Sequence, residues 1–270
     1  ENNKLSIFND NNIIPILNNK DEYNLVSKNI KKYKKLKFGI HVDTGLNRLG
    51  LNLNELFNIN FNQMKVHILI SHLSSADEDK NNYNKVQNKK FKQAINHKIN
   101  AKFNSLSNSM GLILGENYHY DLVRPGISLY GGHFDTKMKK IIKPVISLKG
   151  KILQIKEISK NEFVGYNQTY KTNKKIKVAV LGIGYADGIS RLLSNKGNVY
   201  FKNQTFGIVG RVSMDTITID ITKSSKSIKV GEYMEFINHL HGIDKMAKQC
   251  NTICDEILTS ISDRVKRIYI

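Results

Sequence analysis

Short apolar runs recur along the first half of the chain, and they constrain its fold more than any other feature. Most are spaced roughly 25–35 residues apart, and each is followed by turn residues and a longer polar stretch. Strands that alternate with helical segments at this spacing are typical of βα units and a parallel sheet. The runs are IIPILN at 13–18, FGIHVD at 38–43, VHILISHL at 66–73, FNSLSN at 103–108 and DLVRPGISLY at 121–130.

Five such strands do not complete a (β/α)8 barrel of the TIM type, which needs three more. Three βα units of roughly 30 residues each amount to about 90 residues. We therefore predict an α/β fold with a partial barrel, comprising about strands 4–8, and we expect the chain to be the C-terminal part of a longer one. Function in such barrels gathers at the C-terminal ends of strands. Polar residues at or near such ends are Asp43, His72, Asn108 and Arg124.

Beyond Gly132 the apolar runs become shorter and alternate with polar residues. Gly, Asn and Lys turns separate them, and this pattern favours a mostly antiparallel β-domain. One amphipathic helix is predicted at about 243–255, before a last strand at the C-terminus. We place the domain boundary near 135–143. The prediction is thus a barrel part over 1–140 and a β-rich domain over 141–270.

The formal net charge of +19 resembles that of nucleic-acid-binding proteins, but the kind of basic residue argues against that class. Six of the 42 basic residues are Arg, and the others are Lys scattered among Asn and Ile. Arg reads phosphates and bases with two parallel hydrogen bonds, whereas Lys is mostly a solvated point charge. We therefore expect no nucleic-acid partner. A chain so poor in Arg is expected to keep it where a planar, permanent charge is needed.

The sequence gives no indication of a membrane segment or a metal site. It has no apolar run of about 18 residues, and no signal-peptide pattern is visible. Cys250 and Cys254 are spaced i,i+4 on the predicted helix, without a His or further Cys at ligand spacing. Reduced core thiols are typical of a cytoplasmic protein, and we expect that location.

Several motifs appear in a characteristic order, and together they resemble the alanine racemases, fold-type III enzymes that use pyridoxal phosphate (PLP). The resemblance runs from about Ile13 to the C-terminus. The motifs are HVDTGLNRLG at 41–50, SHLSSADE at 71–78, VRPGISLYG at 123–131, EFVGYNQTYKT at 162–172, KVAVLGIGYADGISR at 177–191 and VGRVSMD at 209–215.

The resemblance implies a catalytic set drawn from two subunits of a homodimer. Racemisation removes the proton from Cα of an amino acid and returns one to the opposite face, so it needs two bases. In the family these are a Schiff-base lysine on the first barrel strand and a tyrosine from the partner subunit's β-domain, which Tyr166 matches. A phenol with a pKa near 10 is a poor base at neutral pH without nearby cations. The resemblance implies a relay in which Tyr166 lies close to His72, and His72 lies close to Arg124. It also implies that Arg124 contacts the PLP ring nitrogen.

The remaining site residues also follow from the resemblance. Arg48 matches the arginine that faces the substrate carboxylate, and Met214 matches the residue whose backbone N–H approaches it. The phosphate is expected after the seventh and eighth barrel strands, where barrels of this type commonly bind it. The cofactor-binding residues implied are Asn108, Ser109, Arg124, Gly126 and Ile127.

Three departures from the family pattern are visible. No Lys of this chain lies in a context that matches the Schiff-base lysine, so we expect residues 1–270 alone to be inactive. His41 stands where some members have a carbamylated lysine that holds the carboxylate-binding arginine. Asp263 stands where some members use a tyrosine on the phosphate.

The leading hypothesis is an isomerase that interconverts L-alanine and D-alanine and so supplies D-alanine for peptidoglycan. A racemase of broader amino-acid specificity on the same scaffold remains open, because few pocket residues separate the two. A non-catalytic PLP-binding protein built on the barrel alone is a hypothesis of another class, and the β-domain counts against it.

Overall fold

The computed structural model describes residues 2–33, 35–61, 64, 66–97, 99–133 and 136–270. Two compact units emerge, Glu1–Gly126 and Ile127–Ile270. The domain boundary between residues 140 and 141 stays a prediction.

The first unit is built of strands and helices that alternate along the chain. Its four strands are all parallel and lie in the order β1-β2-β3-β4. This arrangement is the one that repeated βα units produce. The elements are α1 Asn2–Asp10, β1 Ile16–Leu17, α2 Lys20–Asn29, β2 Phe38–His41, α3 Leu53–Phe57, β3 Val66–Ile70, α4 Tyr83–Ile95 and β4 Phe103–Ser105.

Local sequence signals account for these elements. All four residues of β2 are buried, as expected for a parallel strand covered on both faces. The N-terminus of α3 carries a capping box, in which the Asn52 side chain accepts from the Glu55 N–H and the Glu55 carboxylate accepts from the Asn52 N–H. Helix α4 contributes Phe91 and Ala94 to the core, where both are fully buried.

The fifth predicted strand, at 121–130, is absent, and that prediction was wrong. Two consecutive N–H groups, of Asp121 and Leu122, both donate to the Asn104 carbonyl, so the alternation of a strand ladder is lost. Pro125 has no N–H to donate. The chain then turns into a 3-10 helix at Ile127–Tyr130. The α/β class is confirmed, while a partial barrel remains a prediction.

The second unit is mainly an antiparallel sheet of six strands, in the order β10-β9-β12-β5-β8-β11, with β6 and β7 forming a separate pair. This confirms the mostly antiparallel β-fold. Its strands are β5 Leu148–Ile158, β6 Phe163–Val164, β7 Tyr170–Lys171, β8 Ile176–Leu181, β9 Asn198–Phe201, β10 Gln204–Gly207, β11 Ile217–Asp220 and β12 Tyr233–Ile237, and its helices are α5 Thr136–Lys139, α6 Ile243–Gln249 and α7 Cys254–Ser260.

The single helix predicted at about 243–255 is two helices. Helix α6 ends before Asn251, whose φ of 51° is left-handed and stops the helix. Both thiols are nevertheless buried in the core, as predicted. Burial raises the pKa of Cys250 and raises that of Cys254 to about 11. The last predicted strand does not form, since residues 261–270 contain no strand.

Within the described ranges, no three His, Cys, Asp or Glu side chains come together as a metal site. None of the helices found there has both the length and the apolar character of a membrane span.

Phe91 should carry a large share of the stability of the first unit. Its ring is fully buried and meets Tyr120 edge to face, with centroids 5.0 Å apart. Phe91→Ala is expected to lower the free energy of unfolding by about 3–5 kcal/mol. The matched change on the same helix, Val86→Ala at an exposed position, should alter it by no more than about 0.5 kcal/mol. Urea unfolding followed by circular dichroism measures both, and equal losses would contradict this packing.

Candidate functional site

The side chain of Arg124 joins the C-terminal ends of two neighbouring strands. Its Nη1 donates to the Ser105 carbonyl at 3.0 Å and also contacts the Ser105 hydroxyl. Its Nη2 donates to the Ser71 carbonyl at 2.5 Å. A guanidinium has five N–H donors. The Nε proton and one Nη2 proton therefore remain without an acceptor among the described residues.

His72 lies beside Arg124 as a neutral imidazole. The Asn108 Oδ1 accepts from the Gly111 N–H at 2.9 Å, which fixes the amide so that Nδ2 faces His72 Nε2 at 3.4 Å. Because Nδ2 is a donor, Nε2 is the acceptor and the imidazole proton lies on Nδ1. Burial, followed by the charges of Arg124 and Arg48, lowers the pKa of His72 to about 4. The ring is thus uncharged at neutral pH.

Ser109 and Gly126 form a pair of polar groups next to this cluster. The Gly126 N–H donates to Ser109 Oγ at 2.7 Å. A Cβ added at Gly126 would meet nothing closer than that Oγ, at 4.0 Å, so the space beside the backbone is open. A serine hydroxyl and backbone N–H groups beside open space are donors of the kind that bind a phosphate. Together with the charged Arg124, these groups fit PLP.

Arg48 lies at the tip of a loop that closes on itself. Asp43 Oδ1 accepts from the Gly45 and Asn47 N–H groups at 2.8 and 3.1 Å. Gly50 has a φ of 111°, and a Cβ there would meet the Asp43 nitrogen at 2.8 Å, so only glycine fits. The guanidinium of Arg48 is exposed and has no hydrogen-bond partner within the described ranges.

His41 does not hold Arg48 through its Nδ1. That atom bonds to Asn18 Oδ1 at 2.9 Å, and the Asn18 Nδ2 donates to the Ile16 carbonyl, which fixes the orientation of the amide. The His41 ring is thereby held toward β1. The loop that carries Arg48 is closed by Asp43 and not by the His41 ring.

In the second unit, Tyr166 projects from a tight turn. Its side chain is 68% exposed, and its hydroxyl bonds to no other described residue. The preceding Gly165 has a φ of 75°, and a Cβ there would lie 3.1 Å from the Arg211 nitrogen. Close backbone packing therefore requires glycine at this position and presents Tyr166 to solvent.

Met214 lies on a loop that is bonded to the loop of Tyr185. The Tyr185 N–H donates to the Ser213 carbonyl and the Ala186 N–H to the Met214 carbonyl, both at 3.0 Å. A Cβ on Gly184 would come within 2.2 Å of the Met214 oxygen, so these loops require glycine to approach this closely. The Met214 N–H has no partner in the described part of the chain.

Arg264 holds these two loops together, and sequence reasoning missed it. Its Nη2 donates to Asp215 at 2.6 Å, and its Nε lies 3.4 Å from Asp187. Asp187 also accepts from the Gly184 N–H at 2.8 Å. The scarcity of Arg could have revealed this residue, because Arg264 is one of only six.

The two units divide the predicted site between them. The first contains Arg48, His72, Asn108, Ser109, Arg124 and Gly126, and the second contains Ile127, Tyr166 and Met214. Ile127 is buried and begins a 3-10 helix. Asn108 is engaged within the protein, by Gly111 and His72.

The low pKa of His72 should make the protein less stable in acid. Its folded value of about 4 lies below the ordinary 6.5. Between pH 4 and pH 6.5 the unfolded chain binds more protons at His72 than the folded protein does. The contribution of His72 to the free energy of unfolding is therefore complete above pH 6.5 and is lost as the pH falls toward 4. His72→Gln does not titrate, so its midpoint of thermal unfolding should fall less between about pH 7 and about pH 5. His239→Gln, at an exposed position, is the control and should behave like the unchanged protein.

Comparison with known proteins identifies the family. Residues 1–133 match the alanine racemase N-terminal domain, and residues 145–269 match the alanine racemase C-terminal domain. The chain is 36% identical to alanine racemase of Brucella abortus, covering 96% of this chain and 70% of that protein. It is 39% identical to alanine racemase of Rickettsia bellii, covering 96% of this chain and 65% of the relative.

Solved structures agree with this result. Alanine racemase from Bartonella henselae, which holds covalently bound pyridoxal phosphate, superposes with a TM-score of 0.90 at 36% identity, covering 98% of this chain and 75% of that one. Alanine racemase from Acinetobacter baumannii gives a TM-score of 0.88 at 25% identity, again covering 98% and 75%. With both domains matched and the relatives covered over most of their length, this chain belongs to the alanine racemase family.

Proposed function

We propose that this protein is a PLP-dependent isomerase that interconverts L-alanine and D-alanine at sites shared between two subunits. The observation that carries the proposal is the charged Arg124 beside the neutral His72, in a chain 36% identical to a racemase with covalently bound PLP. When bound, PLP withdraws electrons from the Cα–H bond of the amino acid and makes its proton removable.

Residues of the first unit, together with Ile127 at the start of the second, would hold the cofactor. The Ser109 hydroxyl and the backbone N–H groups of Gly126 and Ile127 would bind its phosphate, with Asn108 bracing the loop next to them. The Nε proton and one Nη2 proton of Arg124 have no acceptor among the described residues, while its other three N–H groups bond to the Ser71 carbonyl and to the carbonyl and hydroxyl of Ser105. A guanidinium keeps its protons, so Arg124 would donate to the ring nitrogen without protonating it.

Two groups would bind the carboxylate of the substrate. Arg48 would contribute charge from its loop, and the Met214 N–H would donate a hydrogen bond. Both are without a partner among the described residues, so neither would have to break an existing bond. An N–H that is already oriented by its loop loses little freedom on binding.

Tyr166 would act at one face of Cα through its hydroxyl oxygen. A phenol needs cations nearby to act as a base near neutral pH, and its own unit offers its hydroxyl no partner in the parts described. His72 and Arg124 belong to the other unit. As the resemblance to the alanine racemases implies, the protein would be a homodimer in which Tyr166 of one subunit lies beside the neutral His72 of its partner, with Arg124 of that partner as the nearby cation.

We further propose that the D-alanine serves peptidoglycan synthesis and that the reaction takes place in the cytoplasm. The two free, buried thiols Cys250 and Cys254 suit a reducing compartment. Racemisation of other small amino acids by the same site would indicate the broader specificity.

A mixture of two inactive variants tests the shared site. Full-length Tyr166→Phe and His72→Gln proteins should each lose about 10²–10⁴-fold in racemisation of L-alanine, because each lacks an acid–base group. In a mixed dimer, one site would carry both substitutions and the other neither. The mixed dimer should therefore recover roughly half of the unchanged activity.

Two differently tagged subunits allow the mixed dimer to be purified before the assay. If it remains inactive, Tyr166 and His72 act within one subunit and the proposal of shared sites is wrong. Tyr233→Phe, at an exposed position in β12, is the matched control and should racemise like the unchanged protein. Absence of racemisation by the unchanged full-length protein would contradict the function itself.

Residues 1–270 alone should not attach PLP covalently, because none of their lysines matches the family's Schiff-base lysine. Borohydride reduction in the presence of PLP, followed by mass spectrometry, tests this expectation. A stable adduct on a single lysine of residues 1–270 would overturn it, whereas low, scattered labelling of surface lysines would agree with it.

A further inference from the structure

The buried face of α4 is unusual because it is largely polar. Its buried residues are Asn84, Gln87, Asn88, Phe91 and Ala94. Helices normally place apolar residues against a sheet. A buried amide is costly unless its hydrogen bonds are satisfied. Amides at these positions therefore indicate that specific polar partners lie opposite them.

Gln87 uses every hydrogen-bonding position of its side chain. Its Nε2 donates to the His72 carbonyl at 3.0 Å and to Thr44 Oγ1 at 3.2 Å. Its Oε1 accepts from the Ser74 N–H at 2.9 Å and from the Ser74 hydroxyl at 3.0 Å. The residue is fully buried, so water does not compete for these bonds.

The orientation of this amide is determined by its partners. The Ser74 N–H can only donate and the His72 carbonyl can only accept, so the amide cannot be turned around without losing both bonds. One side chain thus holds the chain on both sides of Leu73. The segment that carries the His72 ring is fixed from the helix behind it.

The same amide reaches Arg124 through two hydroxyls. Thr44 Oγ1, which accepts from Gln87, lies 2.8 Å from Ser71 Oγ. The Ser71 carbonyl in turn accepts from Arg124 Nη2. Hydrogen bonds therefore connect α4 to the His72 carbonyl and, through Thr44, to Ser71, the residue whose carbonyl Arg124 binds.

We propose that Gln87 is a positioning residue of the active site. It holds the His72 segment directly, and through Thr44 it holds Ser71, whose carbonyl anchors Arg124. This inference rests on the proposed roles of His72 and Arg124. Gln87 itself touches neither the substrate nor the cofactor. Its contribution is to keep the His72 imidazole buried and close to the charges of Arg124 and Arg48.

The pKa of His72 reports whether this positioning holds. The groups that face His72 are Arg124, Arg48 and His41, and burial together with them lowers its pKa. Release of the 72–74 segment would let the ring move toward water and away from these charges. Both changes raise the pKa toward 6.5.

Gln87→Met tests the proposal, because it keeps the length of the side chain and removes all four bonds without adding charge. Asn88→Leu is the matched control. Asn88 is a buried amide at the next position, and it bonds to the Asn117 carbonyl and the Tyr120 hydroxyl instead. The full-length protein with ring-labelled histidine is titrated by NMR, and the His72 signal is identified by its loss in His72→Gln.

In Gln87→Met the pKa of His72 should rise from about 4 by at least about one unit. In Asn88→Leu it should remain within about 0.3 units. An unchanged pKa in folded Gln87→Met, or an equal rise in both variants, would overturn the proposal. If Gln87→Met does not fold, Gln87→Asn takes its place in the test. This variant keeps a neutral amide but withdraws it from its partners by one methylene.

Racemisation provides a second readout. Gln87→Met should lower kcat/KM by about tenfold or more, with the acid side of its pH profile moved upward, while Asn88→Leu keeps the profile of the unchanged enzyme. The NMR titration does not depend on catalysis. A shifted pKa in a protein that does not racemise alanine would therefore contradict the proposed function and leave the positioning role intact.

Discussion

The hydrogen bonds from Arg124 to the carbonyls of Ser71 and Ser105 are the interaction on which the first unit's site depends. These carbonyls stand where β3 and β4 end, so the guanidinium ties two strands together at the edge where polar side chains gather. Burial keeps the neighbouring His72 imidazole neutral, and the charge of Arg124 adds to this effect. Arg124 thus links the two strand ends and also helps to keep the residue beside it uncharged.

Much of the fold could be predicted because its signals are local. The parallel strands near 38 and 66 read as apolar runs, and β2 is buried on every residue. The run at 121–130 is equally apolar but forms no strand, since both Asp121 and Leu122 donate to one carbonyl. The helix of Cys250 breaks at Asn251, whose left-handed backbone is not encoded in hydrophobic periodicity. Periodicity records burial, and it does not record where a hydrogen-bond ladder stops.

The candidate site was predictable in part, for a similar reason. Arg124 was visible as a rare Arg in a Lys-rich chain, and His72 was visible at the end of an apolar run. Gln87 was not visible, because one glutamine in a polar helical segment reads as a solvent-facing residue. Its importance comes from residues 13 to 43 positions away in sequence, which only the fold brings to it. Arg264 is similar, since its carboxylate partners lie 49 or more residues earlier in the chain.

The two arrangements that hold functional loops differ in their physical character. The Arg264 bonds to Asp215 and Asp187 join charges, and the first of these pairs is half-exposed, so dissolved ions weaken it. The amide of Gln87 carries no charge and is fully buried, so a change in ionic strength should not weaken its hydrogen bonds. Rising salt should therefore loosen the Met214 loop, where we propose that the substrate carboxylate binds, and should leave the His72 segment in place.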